Sequence, residues 1–248
     1  MSPIKKIAGN IFFVYAIIVF VITMLFVLIP VWLTGFFREP KRSVYLHKVF
    51  KLWMSIYLPM VFSPVTRRGR EHFQKGRNYV VVLNHNSFAD IPVSSPWIPG
   101  GNKTLAKIEM AKIPLFGMIY RSGSILVDRK KEGSRRESFS KMQEMLHLGL
   151  HLCLYPEGTR NKSDKPLQPF YDGAFITAIK AGKPIIPGLI FNTNLIYPVT
   201  SKTWARPKRI HIHFLEPIST EGLTLNDTAA LKQRIFDLME SYYLANKN

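Results

Sequence analysis

Tyr79-Val80-Val81-Val82-Leu83-Asn84-His85-Asn86-Ser87-Phe88-Ala89-Asp90 decides how this chain is read. Tyr79 to Leu83 is an aromatic, β-branched run with no polar break, the pattern of a strand buried on both faces. Polar residues begin at Asn84, so the strand surfaces there, and loops at strand ends carry chemistry. His85 is followed five residues later by Asp90. A neutral imidazole near pH 7 can take a proton from a hydroxyl. A carboxylate on its other nitrogen fixes the tautomer and steadies the imidazolium. By itself the pair also fits a loop histidine beside a helix-starting aspartate.

Outward from this stretch, strand patterns recur at 65–69, 102–107, 124–127, 151–155, 184–190 and 208–214, with 78–83 at their centre. Helical patterns lie near 88–96, 109–120, 133–148 and 173–181, and a closing helix is expected over about 226–245. Strands alternating with helices predict an α/β fold with a largely parallel sheet flanked by helices.

The N-terminus differs. Ile11 to Leu33 carries no charge and is long enough to cross a bilayer core. It is too long for the apolar part of a signal peptide. Lys5 and Lys6 precede it, and Arg38, Lys41 and Arg42 follow, which conflicts with a simple single span. Val49, Phe50, Leu52, Trp53, Ile56, Tyr57 and Met60 then recur at near-helical spacing. Residues 4–62 are therefore expected to form two helices joined near Pro30–Pro40, embedded in one leaflet or re-entrant, with both ends cytoplasmic. A single span is the alternative. Residues 1–62 form the membrane-associated segment in this reading, and 63–248 the α/β domain.

The net charge of +18, from 34 Lys and Arg against 16 Asp and Glu in 248 residues, points to an anionic partner. Basic runs at Arg67-Arg68-Gly69-Arg70, Arg129-Lys130-Lys131 and Lys208-Arg209 are candidate contacts. Cys153 is the single cysteine, so no intrachain disulfide exists, and its apolar neighbours Leu152 and Leu154 suggest a core thiol.

A second constellation follows the strand at 151–155: Tyr155-Pro156-Glu157-Gly158-Thr159-Arg160-Asn161. Gly158 permits a tight turn, and Arg160 offers a planar fork suited to phosphate. Lys107 and Arg129 also follow apolar strands and could face the site of His85.

In order, these blocks resemble the glycerolipid acyltransferases, most of all the 1-acyl-sn-glycerol-3-phosphate (lysophosphatidic acid) acyltransferase family. The matching blocks are Asn84-His85 through Asp90; Lys107-Ile108-Glu109 with Pro114, Phe116, Gly117, Gly123, Asp128 and Arg129; Pro156 to Arg160 with Phe170, Gly173 and Ala174; and Lys183 to Pro187. They span roughly half the chain. Tyr155 stands where a phenylalanine is usual, and Tyr171-Asp172 where basic residues are common.

The resemblance implies a glycerol-3-phosphate acyltransferase-like fold and transfer of a fatty acyl group from an acyl thioester to lysophosphatidic acid, giving phosphatidic acid. His85 and Asp90 would be catalytic. Lys107, Arg129, Glu157, Gly158, Thr159 and Arg160 would bind substrate, with Arg160 on the phosphate. The donor would be acyl carrier protein or acyl-CoA, and no metal or other cofactor is implied. A different lysophospholipid acceptor is the nearest alternative. The high basic charge also raises nucleic-acid binding, but no aromatic-basic interleaving marks the strands, so no nucleic acid is expected. His211 with His213, and His147 with His151, raise a metal site. Strand alternation instead puts His211 and His213 on a polar face, with Ile210, Ile212 and Phe214 inward. Gly149 separates His147 from His151.

Overall fold

The structure, a computed structural model, describes residues 2–128, 130–201 and 203–247. Its elements in chain order are α1 (Pro3–Leu33), α2 (Lys41–Met60), β1 (Val65–Arg68), β2 (Val80–Leu83), α3 (Asp90–Ser94), β3 (Asn102–Lys107), α4 (Phe116–Gly123) and β4 (Ser124–Val127). There follow α5 (Glu132–His147), β5 (His151–Leu154), α6 (Gly173–Ala181), β6 (Ile185–Phe191), α7 (Thr193–Ile196), β7 (Ile210–Phe214) and α8 (Thr228–Asn246). The strands lie in one sheet in the order β1-β7-β6-β2-β5-β3-β4, and only the β6–β7 pair is antiparallel. Every expected strand is present, and the largely parallel sheet flanked by helices is the fold.

The run that opened the analysis is β2, paired with β5 on one side and β6 on the other. Its period of two divides the core. Val80 and Val82 face a layer built from α5, α6 and α8, including Leu146, Phe175 and Ile235. Tyr79, Val81 and Leu83 face the other layer, where Trp53, Met54 and Leu58 of α2 are buried with Val93 and Ile98. The N-terminal helices thus share a core with the sheet.

Two helices, α1 and α2, form the N-terminal segment, joined through a tight turn at Thr34–Phe36, and Pro30 falls inside α1. Tyr15 Oη donates to the Met60 carbonyl at 2.8 Å, and the Trp53 indole N–H donates to Thr23 Oγ1 at 2.9 Å. Residue 15 beside 60 and 23 beside 53 define an antiparallel hairpin. The span Pro3–Phe36 is long and apolar enough to cross a membrane, and only 17% of its most apolar window is buried. Ile7, Ile11, Phe26 and Ile29 are exposed along it.

Two sequence expectations need correction. The helix expected over 109–120 is split into a 3-10 turn at Ile108–Lys112 and α4. Pro114 pushes Ile113 into extended backbone, and Leu115 sits at φ 60° before the helix restarts. The polar strand face expected to carry His211 and His213 is covered at His213 and part exposed at His211, with Ile210, Ile212 and Phe214 in the opposite core as expected. His213 is buried against Phe191, with Tyr242 Oη 3.2 Å from its Nδ1, and His211 Nδ1 lies 2.6 Å from Thr66 Oγ1.

Candidate active site

Parallel pairing places the C-terminal ends of β2, β5 and β3 side by side, so the loops leaving them share one edge of the sheet. Asn84 fixes the end of β2: its side-chain amide donates to the Ile190 carbonyl at 3.0 Å, and its Oδ1 accepts the Ile190 N–H at 2.7 Å. The next residue is therefore held against β6, and that residue is His85.

His85 Nδ1 lies 2.8 Å from Asp90 Oδ2. The carboxylate can only accept, so Nδ1 carries the proton and Nε2 is left as the basic nitrogen. Asp90 is fully buried at the start of α3, and its Oδ2 also accepts the backbone N–H groups of Asn86 (2.6 Å) and Ser87 (2.7 Å). Three donors on one oxygen lock the loop into the shape that aims the imidazole. Ser87 Oγ closes the far side by donating to the Tyr197 carbonyl at 2.8 Å.

The loop after β5 is tied to this one from beneath. Glu157 Oε1 accepts the His85 N–H at 2.7 Å, Glu157 Oε2 accepts the Gln168 N–H at 3.0 Å, and the Asn161 N–H donates to the His85 carbonyl at 2.6 Å. Burial pushes the Glu157 carboxyl up to about 7, against the two backbone donors that favour its charged form. Glu157 is thus a buried brace between two loops and, unlike Gly158, Thr159 and Arg160, is not among the described residues lining the cavity beyond it. Gly158, at φ 68°, makes the turn that a residue with a Cβ would strain.

Beyond the brace, Gly158, Thr159 and Arg160 line a cavity of about 1260 Å³ together with His85 and Lys107. The Arg160 guanidinium lies over the Phe88 ring, 3.3 Å from its centroid, in a cation–π contact. Lys107 is exposed at the end of β3. Arg129 lies outside the described residues. The same cavity is also lined by Arg135, by Phe20, Met24 and Tyr57 of the hairpin, and by Phe116, Phe139 and Met142 of the domain. A mainly apolar wall carrying a few cations suits an amphiphile with an anionic head.

Sequence reading missed Phe88, which seats Arg160, and the α1 residues that wall the cavity. Phe88 stood inside the His85–Asp90 motif as an unexplained aromatic, a signal that could have been used. The α1 contribution depends on how the hairpin folds back. Cys153 is buried, and burial pushes its thiol up to about 12, which makes it inert as a nucleophile. Among the described residues no group of His, Cys, Asp and Glu is placed to hold a metal ion. His147 ends α5 at the surface, and His151 begins β5 in the interior.

The family model described as Acyltransferase matches residues 64–190, which contain all of these loops. Human 1-acyl-sn-glycerol-3-phosphate acyltransferase alpha is 32% identical over 197 residues, covering 78% of this chain and 69% of that protein. The chain belongs to the acyltransferase family. The mouse alpha enzyme is 34% identical over 170 residues, 68% of this acyltransferase, which spans 59% of the mouse protein's length. The 1-acyl-sn-glycerol-3-phosphate acyltransferase of Haemophilus influenzae is 28% identical over 190 residues, covering 76% and 78% of the two chains. The crystal structure of the 1-acyl-sn-glycerophosphate (LPA) acyltransferase PlsC from Thermotoga maritima matches with a TM-score of 0.77. That match covers 100% of this acyltransferase and 99% of PlsC at 24% identity, and shows the shared fold.

Proposed function

We propose that this acyltransferase moves a fatty acyl group from an acyl thioester, carried on CoA or on acyl carrier protein, to the sn-2 hydroxyl of lysophosphatidic acid, giving phosphatidic acid. The observation that carries the reading is the His85–Asp90 pair, with His85 lining a cavity whose wall is mainly apolar and carries Lys107 and Arg160. The named activity of the human, mouse and Haemophilus influenzae relatives supports the same substrate.

In this reading Nε2 of His85 takes the proton from the acceptor hydroxyl as its oxygen attacks the thioester carbonyl. The new C–O bond forms, the C–S bond breaks, and the departing sulfur recovers the proton from the imidazolium. Asp90 steadies that imidazolium from Nδ1. Arg160, seated on Phe88 beside Lys107, takes the acceptor phosphate, and Thr159 and Gly158 shape the rim. Arg129 is assigned to the same phosphate. Much of the rate comes from holding the acceptor by head and chain so that one hydroxyl meets His85.

The antiparallel hairpin supports a monotopic seat on the cytoplasmic face of the membrane, because α1 and α2 enter and leave on the same side. Its exposed apolar residues then sit among lipid, next to a substrate that lives there.

The test is formation of phosphatidic acid from lysophosphatidic acid and an acyl thioester, supplied as CoA and as carrier-protein forms, with wild type and His85→Ala. Product from wild type and none from the variant supports the reading. Equal product from both removes His85 from the chemistry, and no product from wild type with either donor overturns the substrate.

A further inference from the structure

Asp90 and Ser94 open and close α3, four residues apart and so on one helix face. Asp90 grips the edge of the His85 imidazole. Ser94 is fully buried, and its Oγ shares a 2.6 Å hydrogen bond with Tyr155 Oη. The Tyr155 ring lies against the face of His85, with centroids 4.4 Å apart and planes inclined by 31°. One short helix therefore reaches the same imidazole twice: directly through a carboxylate, and indirectly through a ring it holds by the hydroxyl.

We propose that Tyr155 is a positioning residue for His85, and that the Ser94–Tyr155 hydrogen bond, not the aromatic ring alone, keeps the imidazole in register with Asp90. This rests on the functional reading above. An imidazole held only at Nδ1 can still rock on that bond, which moves Nε2 away from the acceptor hydroxyl and bends the Nδ1–H···Oδ2 bond until it no longer fixes the tautomer. A ring packed on its face blocks the rocking, and a ring pinned at its far end blocks it better. The hydroxyl has the partners for this task. Burial raises the Tyr155 phenol well above its ordinary range, so it stays protonated and can donate. Ser94 Oγ then has its own proton to give, with the Ile91 carbonyl at 3.5 Å and Cys153 Sγ at 3.7 Å as neighbours. A phenylalanine at position 155 would keep the packing and lose the pin. Ser94 would then be left with only those two long contacts.

The test uses full-length protein with Tyr155→Phe, Ser94→Ala, their combination, and Ser94→Thr. One neutral hydrogen bond corresponds to a kcat fall of roughly 3- to 10-fold. That fall is expected in each single variant, with KM for both substrates unchanged. The double variant should be no worse than the worse single, and Ser94→Thr should retain activity through its hydroxyl. The 15N resonances of His85 should show the Nδ1-protonated tautomer in wild type and in Ser94→Thr, and a mixture in Tyr155→Phe. Losses that multiply in the double variant would overturn the proposal, as would an unchanged kcat or an unchanged tautomer signature in Tyr155→Phe. The NMR arm needs no turnover. If wild type transfers no acyl group the functional reading fails, while the clamp is still judged on the tautomer.

Discussion

At the scale of single residues, the site is a dense set of buried acceptors and donors, three of the donors meeting on Asp90 Oδ2, so small changes in hydrogen-bonding type should have large effects. Glu157→Gln replaces one acceptor oxygen with an NH2 group, which must face the N–H of His85 or of Gln168. We expect kcat to fall by about tenfold, the cost of one buried donor left unpaired, with little change in KM. Steady-state kinetics on the variant checks this. Arg160→Ala should chiefly raise KM for the phosphate-bearing acceptor, by 10-fold or more for a charge-assisted contact of about 1.5–3 kcal/mol. A variant with unchanged KM and only a lower kcat would remove Arg160 from phosphate binding. The residue types at this site were legible beforehand because the proposed chemistry calls for them: a base, a carboxylate to orient it, and cations for an anionic head. That Glu157 shapes the Arg160 loop was an implied role; that it also holds the His85 backbone was not legible. A carboxylate in a loop beside Arg160 looks like a substrate contact until β5 and β2 are paired, and that pairing puts it beneath His85.

At the scale of elements, the hairpin and the sheet are joined through α4. Phe116, its first residue, packs on Phe20 of α1 with centroids 6.1 Å apart. Gly117 follows, and a Cβ there would collide with the Ala111 carbonyl on the preceding 3-10 turn. Gly117→Ala should therefore displace that turn and destabilise the protein by about 1–3 kcal/mol, measured by urea unfolding. The displacement also moves Phe116 in the cavity wall, so activity should fall with stability. All seven strands could be placed from sequence because β-branched runs bounded by turn residues are a local signal. The break in the helix expected over 109–120 was less visible. Its apolar spacing reads as continuous, and the steric effect of Pro114 on Ile113 outweighed it. The fate of His211 and His213 was hidden for a different reason. Alternation told which face of β7 they occupy, but not that α8 would cover it.

At the scale of the whole molecule, buried ionisable groups set the pH range of stability. Burial lowers His151 to about 4 and His213 to about 4, from 6.5. His151 Nδ1 accepts the Tyr79 N–H at 3.1 Å, and protonation would destroy that acceptor. Between pH 6.5 and 4 the unfolded chain binds these protons and the folded one does not, so stability is lost as pH falls through that window, by up to about 3 kcal/mol for His151. Glu157 acts in the opposite sense: raised from 4.5 to about 7, it gives stability that is lost as pH rises through that interval. Two imidazoles outweigh one carboxyl, so the denaturation midpoint at pH 4.5 should lie below that at pH 7. His151→Gln should reduce the difference.

The sequence by itself determined the class of fold, the pairing of His85 with Asp90, and the apolar character of the first helix. These depend on periodicity, on residue chemistry and on spacing within a single loop, all of which are local. Only the tertiary structure decided what lies between those points. Parallel pairing of β2 with β5 turned Glu157 into a brace and brought Tyr155 onto His85. The return of α2 along α1 turned an apolar helix into one wall of a cavity. Both outcomes join residues far apart in the chain, and no local pattern encodes which distant partner a buried surface will meet.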